Sequence, residues 1–174
     1  MKLKLFALII FTVCISSLHA QDKKDKGMKS STPVHLSFGL DAGAPLGNNA
    51  NTSAFVAGGD LQVEYELSQN FSVTGSAGLE GRLNKGGVVN TKYFAPLLGG
   101  LRYYFSTNFY ISEQAGYSLS LTKGTSAAFT NVAGLGFKLS KNSDVLFAYK
   151  GLFNTGGIAN YNTIAARIAY VFGK

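Results

Sequence analysis

One cysteine, no tryptophan, three prolines and two histidines in 174 residues remove most catalytic chemistries before any motif is sought. The lone Cys14 has no second thiol to pair with, so no disulfide within the chain is possible. Its context, Phe-Thr-Val-Cys, also lacks the small residue that usually precedes a lipidated cysteine. No segment beyond the N-terminal region is apolar over the roughly 20 residues a membrane helix needs, so any spanning must be done by strands. Charged residues make up only 14% of the chain, and no cluster of His, Cys or carboxylates has ligand spacing. No metal and no cofactor is expected.

The N-terminus has the parts of a secretory signal peptide. Lys2 and Lys4 form a basic start, Leu5 to Ile15 is apolar, and Ser16 to Ala20 leads to a cleavage site after Ala20. Residues 21–33 are polar, Lys-rich and without periodicity, which predicts a flexible periplasmic leader. Losing Lys2 and Lys4 would lower the formal charge from +7 to +5. Much of the remaining excess lies in this tail and in scattered turns, so nucleic acid is not an expected partner.

Residues 34–174 are rich in what the rest lacks: alternating apolar and polar positions punctuated by Gly, Asn and Ser. The pattern predicts strands near 34–43, 54–67, 71–82, 91–105, 109–121, 127–139, 144–153 and 162–172. Connections at 68–70, 106–108 and 140–143 are short. Those at 44–53, 83–90 and 154–161 are longer, and 122–126 is intermediate. Short turns on one side and longer loops on the other are the arrangement of an outer-membrane barrel. The fold class expected is all-β, an eight-stranded antiparallel up-and-down transmembrane barrel, with no helix interrupting it.

The charges sort by face. If the apolar residues face lipid, the opposite face holds Asp41, Asp60, Glu64, Glu66, Glu80, Lys92, Arg102, Lys138, Lys150 and Arg167. A soluble β-protein would place charge outside and apolar residues inside; a barrel in lipid does the reverse. Arg82, Lys85, Lys123, Lys141, Asp144 and Lys174 are assigned to turns, loops or the terminus. Glu80 and Lys92 flank the second long loop and are expected to pair across neighbouring strands. Glu113 alone shares parity with lipid-facing residues; a β-bulge between Ile111 and Ala115 is expected to turn it inward, the alternative being an outward acid near a membrane boundary.

Aromatics on the apolar face collect near strand ends. Tyr65, Phe71, Tyr103, Phe105, Phe109, Phe137, Tyr170 and Phe172 lie toward the short turns, and Phe55, Tyr93, Phe129 and Phe153 toward the loops. Two girdles at the membrane interfaces are the expected reading. His35 stands at the turn end of the first strand with no second histidine to work with, so no catalytic site is expected. The Gly-Gly pairs at 58–59, 86–87, 99–100 and 156–157 precede no helix carrying a Lys-Ser/Thr pair, so they read as wall or turn glycines rather than phosphate loops.

Several segments carry a family resemblance: Ala42-Gly43-Ala44-Pro45-Leu46-Gly47, Tyr65-Glu66-Leu67-Ser68-Gln69-Asn70, Leu101-Arg102-Tyr103-Tyr104-Phe105-Ser106, Phe109-Tyr110-Ile111-Ser112, Ala115-Gly116-Tyr117 and Ile168-Ala169-Tyr170-Val171-Phe172. In these the chain resembles the small outer-membrane β-barrel ("porin family") proteins abundant in Bacteroidota. The resemblance implies an outer-membrane location and no particular activity. The expected role is structural or interaction-based in the cell envelope, not enzymatic. The lumen is then plugged by ion pairs, the wall contacts outer-membrane lipid, and the loops meet envelope or extracellular partners. A small-solute or ion channel and an apolar-ligand-binding barrel are the alternatives. A self-closed barrel leaves no open edge to pair, so a monomer is expected.

Overall fold

Strands polar on one face and apolar on the other can satisfy all backbone groups in lipid only by closing on themselves. The computed structural model describes residues 34–85, 87–153 and 161–172. The expected signal peptide and leader, and residues 154–160 of the expected third loop, lie outside the described residues. The described chain forms eight strands: β1 (Val34–Leu46), β2 (Ser53–Glu66), β3 (Phe71–Asn84), β4 (Gly87–Tyr104), β5 (Phe109–Ser120), β6 (Ala128–Lys138), β7 (Ser143–Phe153) and β8 (Tyr161–Phe172). Each is antiparallel to its neighbours, and β8 pairs with β1 to complete a closed barrel.

The strands run further than the turn residues suggest. β3 continues to Asn84 and β4 begins at Gly87, so most of the loop expected at 83–90 is wall. β1 likewise extends to Leu46, and a single helical turn, α1 (Asn49–Thr52), occupies the connection to β2. The expectation of no helix is corrected to that extent. The reason is general: glycine and asparagine permit a turn but do not force one when cross-strand hydrogen bonds remain to be made.

The three short turns share a Ser-x-Asn device. Ser68 Oγ accepts from the Phe71 amide at 3.1 Å, and Ser106 Oγ accepts from the Phe109 amide at 3.1 Å. Ser140 Oγ accepts from the Asn142 amide at 3.2 Å. In each turn the Asn carbonyl then accepts an amide of the following strand pair: Tyr104 to Asn70 at 2.8 Å, Lys138 to Asn108 at 2.7 Å, Val171 to Asn142 at 2.7 Å. A side-chain acceptor thus holds the turn, and its asparagine stitches the hairpin to the next strand.

Alternation holds along the wall. Leu61, Leu79, Leu97, Leu135, Ile164 and Ile168 are exposed on the outside, while Gln62, Ser72, Thr74, Ser118, Thr130 and Thr163 are buried inside. Two glycines make room for bulky lumen groups. A Cβ at Gly136 would collide with the Tyr110 ring, and one at Gly39 with the Arg167 guanidinium.

Candidate functional site: a charged lumen

Inward parity in β2, β4, β7 and β8 brings charges from opposite walls together across the bore. Arg102, on β4, is 2% exposed and donates to Glu64 at 3.0 Å and to Asp144 at 3.3 Å. Tyr104 Oη donates to the other oxygen of Glu64 at 2.6 Å. Arg167 continues the chain, lying 3.7 Å from Asp144 and gripping Asp60 with Nε at 2.8 Å and Nη2 at 2.9 Å. The result is a relay of alternating sign, Glu64–Arg102–Asp144–Arg167–Asp60, contributed by four strands. Two-point arginine contact of this kind is directional, and it fixes the side chains as well as pairing them.

Toward the longer loops a second group forms around Glu80. One oxygen accepts from Arg82 Nε at 2.9 Å and the other from Lys150 Nζ. The Arg82 guanidinium stacks 4.1 Å from the centroid of Phe94 and 4.4 Å from that of Tyr161. Asp41 stands opposite Arg167 in the β1–β8 register. Toward the turn end, Arg102 lies 4.5 Å from the Tyr110 ring centroid, Tyr104 and Tyr110 pack at 5.3 Å, and Lys138 sits 4.2 Å from the Tyr104 ring. Aromatic faces supply negative potential to cations where water is scarce.

The lumen set differs from the sequence expectation at three points. Arg82 and Asp144, assigned to a loop and a turn, are buried lumen residues at 6% and 3% exposure. β3 runs past Arg82 and β7 starts before Asp144, so both keep inward parity. Glu80 does not pair with Lys92: its register partner on β4 is Phe94, and Lys92 faces Arg82 and is exposed. No bulge turns Glu113 inward; the β4–β5 and β5–β6 registers run unbroken through it, and it is exposed on the outer face.

The remaining expected residues are placed as follows. Glu64, Glu80, Arg102, Lys150 and Arg167 are buried, whereas Asp41, Asp60, Glu66 and Lys138 are half-buried. His35 lies at the turn-end rim, 2.9 Å from Glu66. Sequence reasoning passed over Tyr104 and Tyr110, which fill the bore near Arg102. Their parity with Arg102 and Ser112 was the signal available.

Among Asp41, Asp60, Glu80, Gln114, Lys150 and Arg167 a cavity of about 60 Å3 remains. A larger polar pocket of about 410 Å3 opens at the turn end between Glu66, Ser72, Tyr104 and Lys138. Among the described residues, no group of three or more His, Cys, Asp or Glu is arranged to hold a metal ion.

On the outer face, Phe71 and Tyr103 touch at 4.9 Å, Phe105 and Phe109 at 6.1 Å, and Phe109 and Phe137 at 6.2 Å along the turn side. Tyr170 and Phe172 meet at 5.3 Å on the same side. Toward the loops Phe129 contacts Tyr117 at 5.8 Å and Phe153 at 6.2 Å. Tyr65, Phe55 and Tyr93 are also exposed on this face.

No protein-family model and no curated protein sequence matches the chain. Solved structures do share its architecture. The attachment invasion locus protein Ail of Yersinia pestis, an outer-membrane protein, superposes with a TM-score of 0.57 at 16% identity, over 80% of this chain and 97% of that one. A designed transmembrane β-barrel superposes with a TM-score of 0.53 at 19% identity, over 81% of this chain and 98% of that one. The fold is that of the eight-stranded membrane barrels.

Proposed function

We propose that the chain is an integral outer-membrane β-barrel with a non-enzymatic, structural or interaction role, its lumen closed by ion pairs and its longer loops presented to envelope or extracellular partners. The observation that carries this reading is Arg102, buried inside the bore and bonded to carboxylates from β2 and β7. An eight-stranded barrel has an interior that side chains can fill, and the tyrosines and salt bridges of the bore support a closed lumen. The membrane reading is supported by an apolar exterior and a charged interior, the inverse of a soluble barrel.

A channel is the second reading, favoured by the polar lining of the bore and by the pocket at the turn end. Single-channel conductance in a planar bilayer separates the two, with the wild type measured beside Arg102→Ala. The plugged barrel inserts silently, and only the substituted form shows steps. Reproducible wild-type conductance altered by the substitution makes the protein a channel. Loss of one defined lipid modification in cells lacking the protein would overturn the non-enzymatic assignment.

A further inference from the structure

The outer wall carries one polar pair in the wrong solvent. Glu113 faces outward from β5, four residues from Phe109 toward the turns and four from Tyr117 toward the loops. It therefore sits midway between aromatics of the two ends, where the hydrocarbon is driest. It accepts a hydrogen bond from Asn131 Nδ2 of β6, also on the outer face. One such bond leaves most of the pair's capacity unused: the carboxylate has further acceptor sites, and the amide retains a second N–H and its carbonyl. Lipid tails can fill none of these, and ionisable groups inside the hydrocarbon are expensive unless they meet a partner.

We propose that Glu113 and Asn131 form the centre of a lateral interface between two copies of this chain. The pair is an acceptor beside a donor, so it is complementary to itself. A two-fold axis along the membrane normal keeps both copies at one depth and sets Glu113 of each against Asn131 of the other. The wall around the pair allows the approach, because Gly99 and Ala115 follow Asn131 across the register and Ala133 stands opposite Glu113. Interhelical polar pairs hold membrane helices together in the same way, since association inside lipid has no hydrophobic drive of its own. Closure of the barrel removes the need to pair edges; it does nothing for a carboxylate in the wall. The inference rests on the membrane reading above and replaces the monomer expected from closure alone.

The test uses the full chain in a Cys14→Ser background, expressed into bacterial outer membranes. A reporter cysteine is placed beside the pair (Ala115→Cys) or on the far wall (Ile168→Cys), and a short bismaleimide is added. A band at twice the monomer mass should form at position 115 and be at least tenfold weaker at 168. Adding Glu113→Leu or Asn131→Leu should reduce the 115 band at least tenfold while the barrel still inserts, because a leucine there suits lipid better. Glu113→Gln keeps hydrogen-bonding capacity and should retain the band. Heat-modifiable migration of the membrane fraction reports insertion separately, so failure to insert overturns the membrane reading and this proposal together. Inserted barrels that crosslink equally at both positions, crosslink to a different protein, or crosslink undiminished in the leucine variants overturn the interface alone.

Discussion

Arg102 concentrates the energetics of the lumen in one side chain. Replacing it with methionine keeps volume in the bore but removes one buried cation from Glu64 and from Asp144, the latter keeping Arg167 at 3.7 Å. Removing one partner of a buried pair destabilises by about 3–5 kcal/mol, because the remaining charge stays desolvated. Arg102→Met should therefore lower the stability of the folded barrel by about that amount, read as the urea midpoint of reversible unfolding in detergent. A loss below about 1 kcal/mol, the scale of a solvent-screened pair, would mean that water reaches the relay. Gly136→Ala tests packing at the same level of the bore. Its new methyl must displace the Tyr110 ring, which is fully buried and flanked by Tyr104 and Arg102. Overpacking of this kind costs about 1–3 kcal/mol. The same substitution at Gly39 must displace the Arg167 guanidinium, whose Nε and Nη2 hold Asp60, so a comparable cost is expected.

Single strands and turns are where the sequence was easiest and hardest to read. Period-two alternation located all eight strands, because a one-residue slip would exchange the two faces. It failed at strand ends. Arg82 and Asp144 sit beside turn-prone residues, and nothing local reveals that the ladder continues past them. It failed also at partners: strand tilt carries Glu80 to Lys150 across the bore rather than to Lys92 next door, and tilt is a property of the closed barrel. Glu113 was the informative case. Its parity points outward, and unbroken registers with β4 and β6 keep it there. The Ser-x-Asn turns make an element-scale prediction. Asn70 Nδ2 donates to the Tyr104 carbonyl at 2.6 Å, so Asn70→Ala removes one side-chain tether while leaving the backbone bond from Tyr104 in place. A cost of about 0.5–1.5 kcal/mol is expected, with faster amide exchange confined to the ends of β3, β4 and β5. Global exchange at the unfolding limit would instead mean that the turn is required for closure.

At the scale of the whole barrel, the outer face predicts where the bilayer lies without reference to any loop. Ala166 and Phe172 both point outward from β8, with Ala166 near the middle of the strand and Phe172 at its turn end beside Tyr170. A lipid-facing lysine or arginine is penalised by depth, by about 2–4 kcal/mol at the midplane and about 0–1 kcal/mol near an interface. Ala166→Arg should therefore destabilise the vesicle-inserted barrel by about 2–4 kcal/mol. Phe172→Arg should cost little, since its guanidinium can reach the headgroups and only ring contacts are lost. Urea titration of barrels folded into phospholipid vesicles measures both. If the two substitutions cost the same, the exterior is not layered by depth, and the apolar surface must be covered by something other than a bilayer. If Ala166→Arg alone is costly, the aromatic ends of the strands mark the two interfaces. Glu113, equally far from both, is then held at mid-depth in the hydrocarbon, where a hydrogen-bonding partner is worth most.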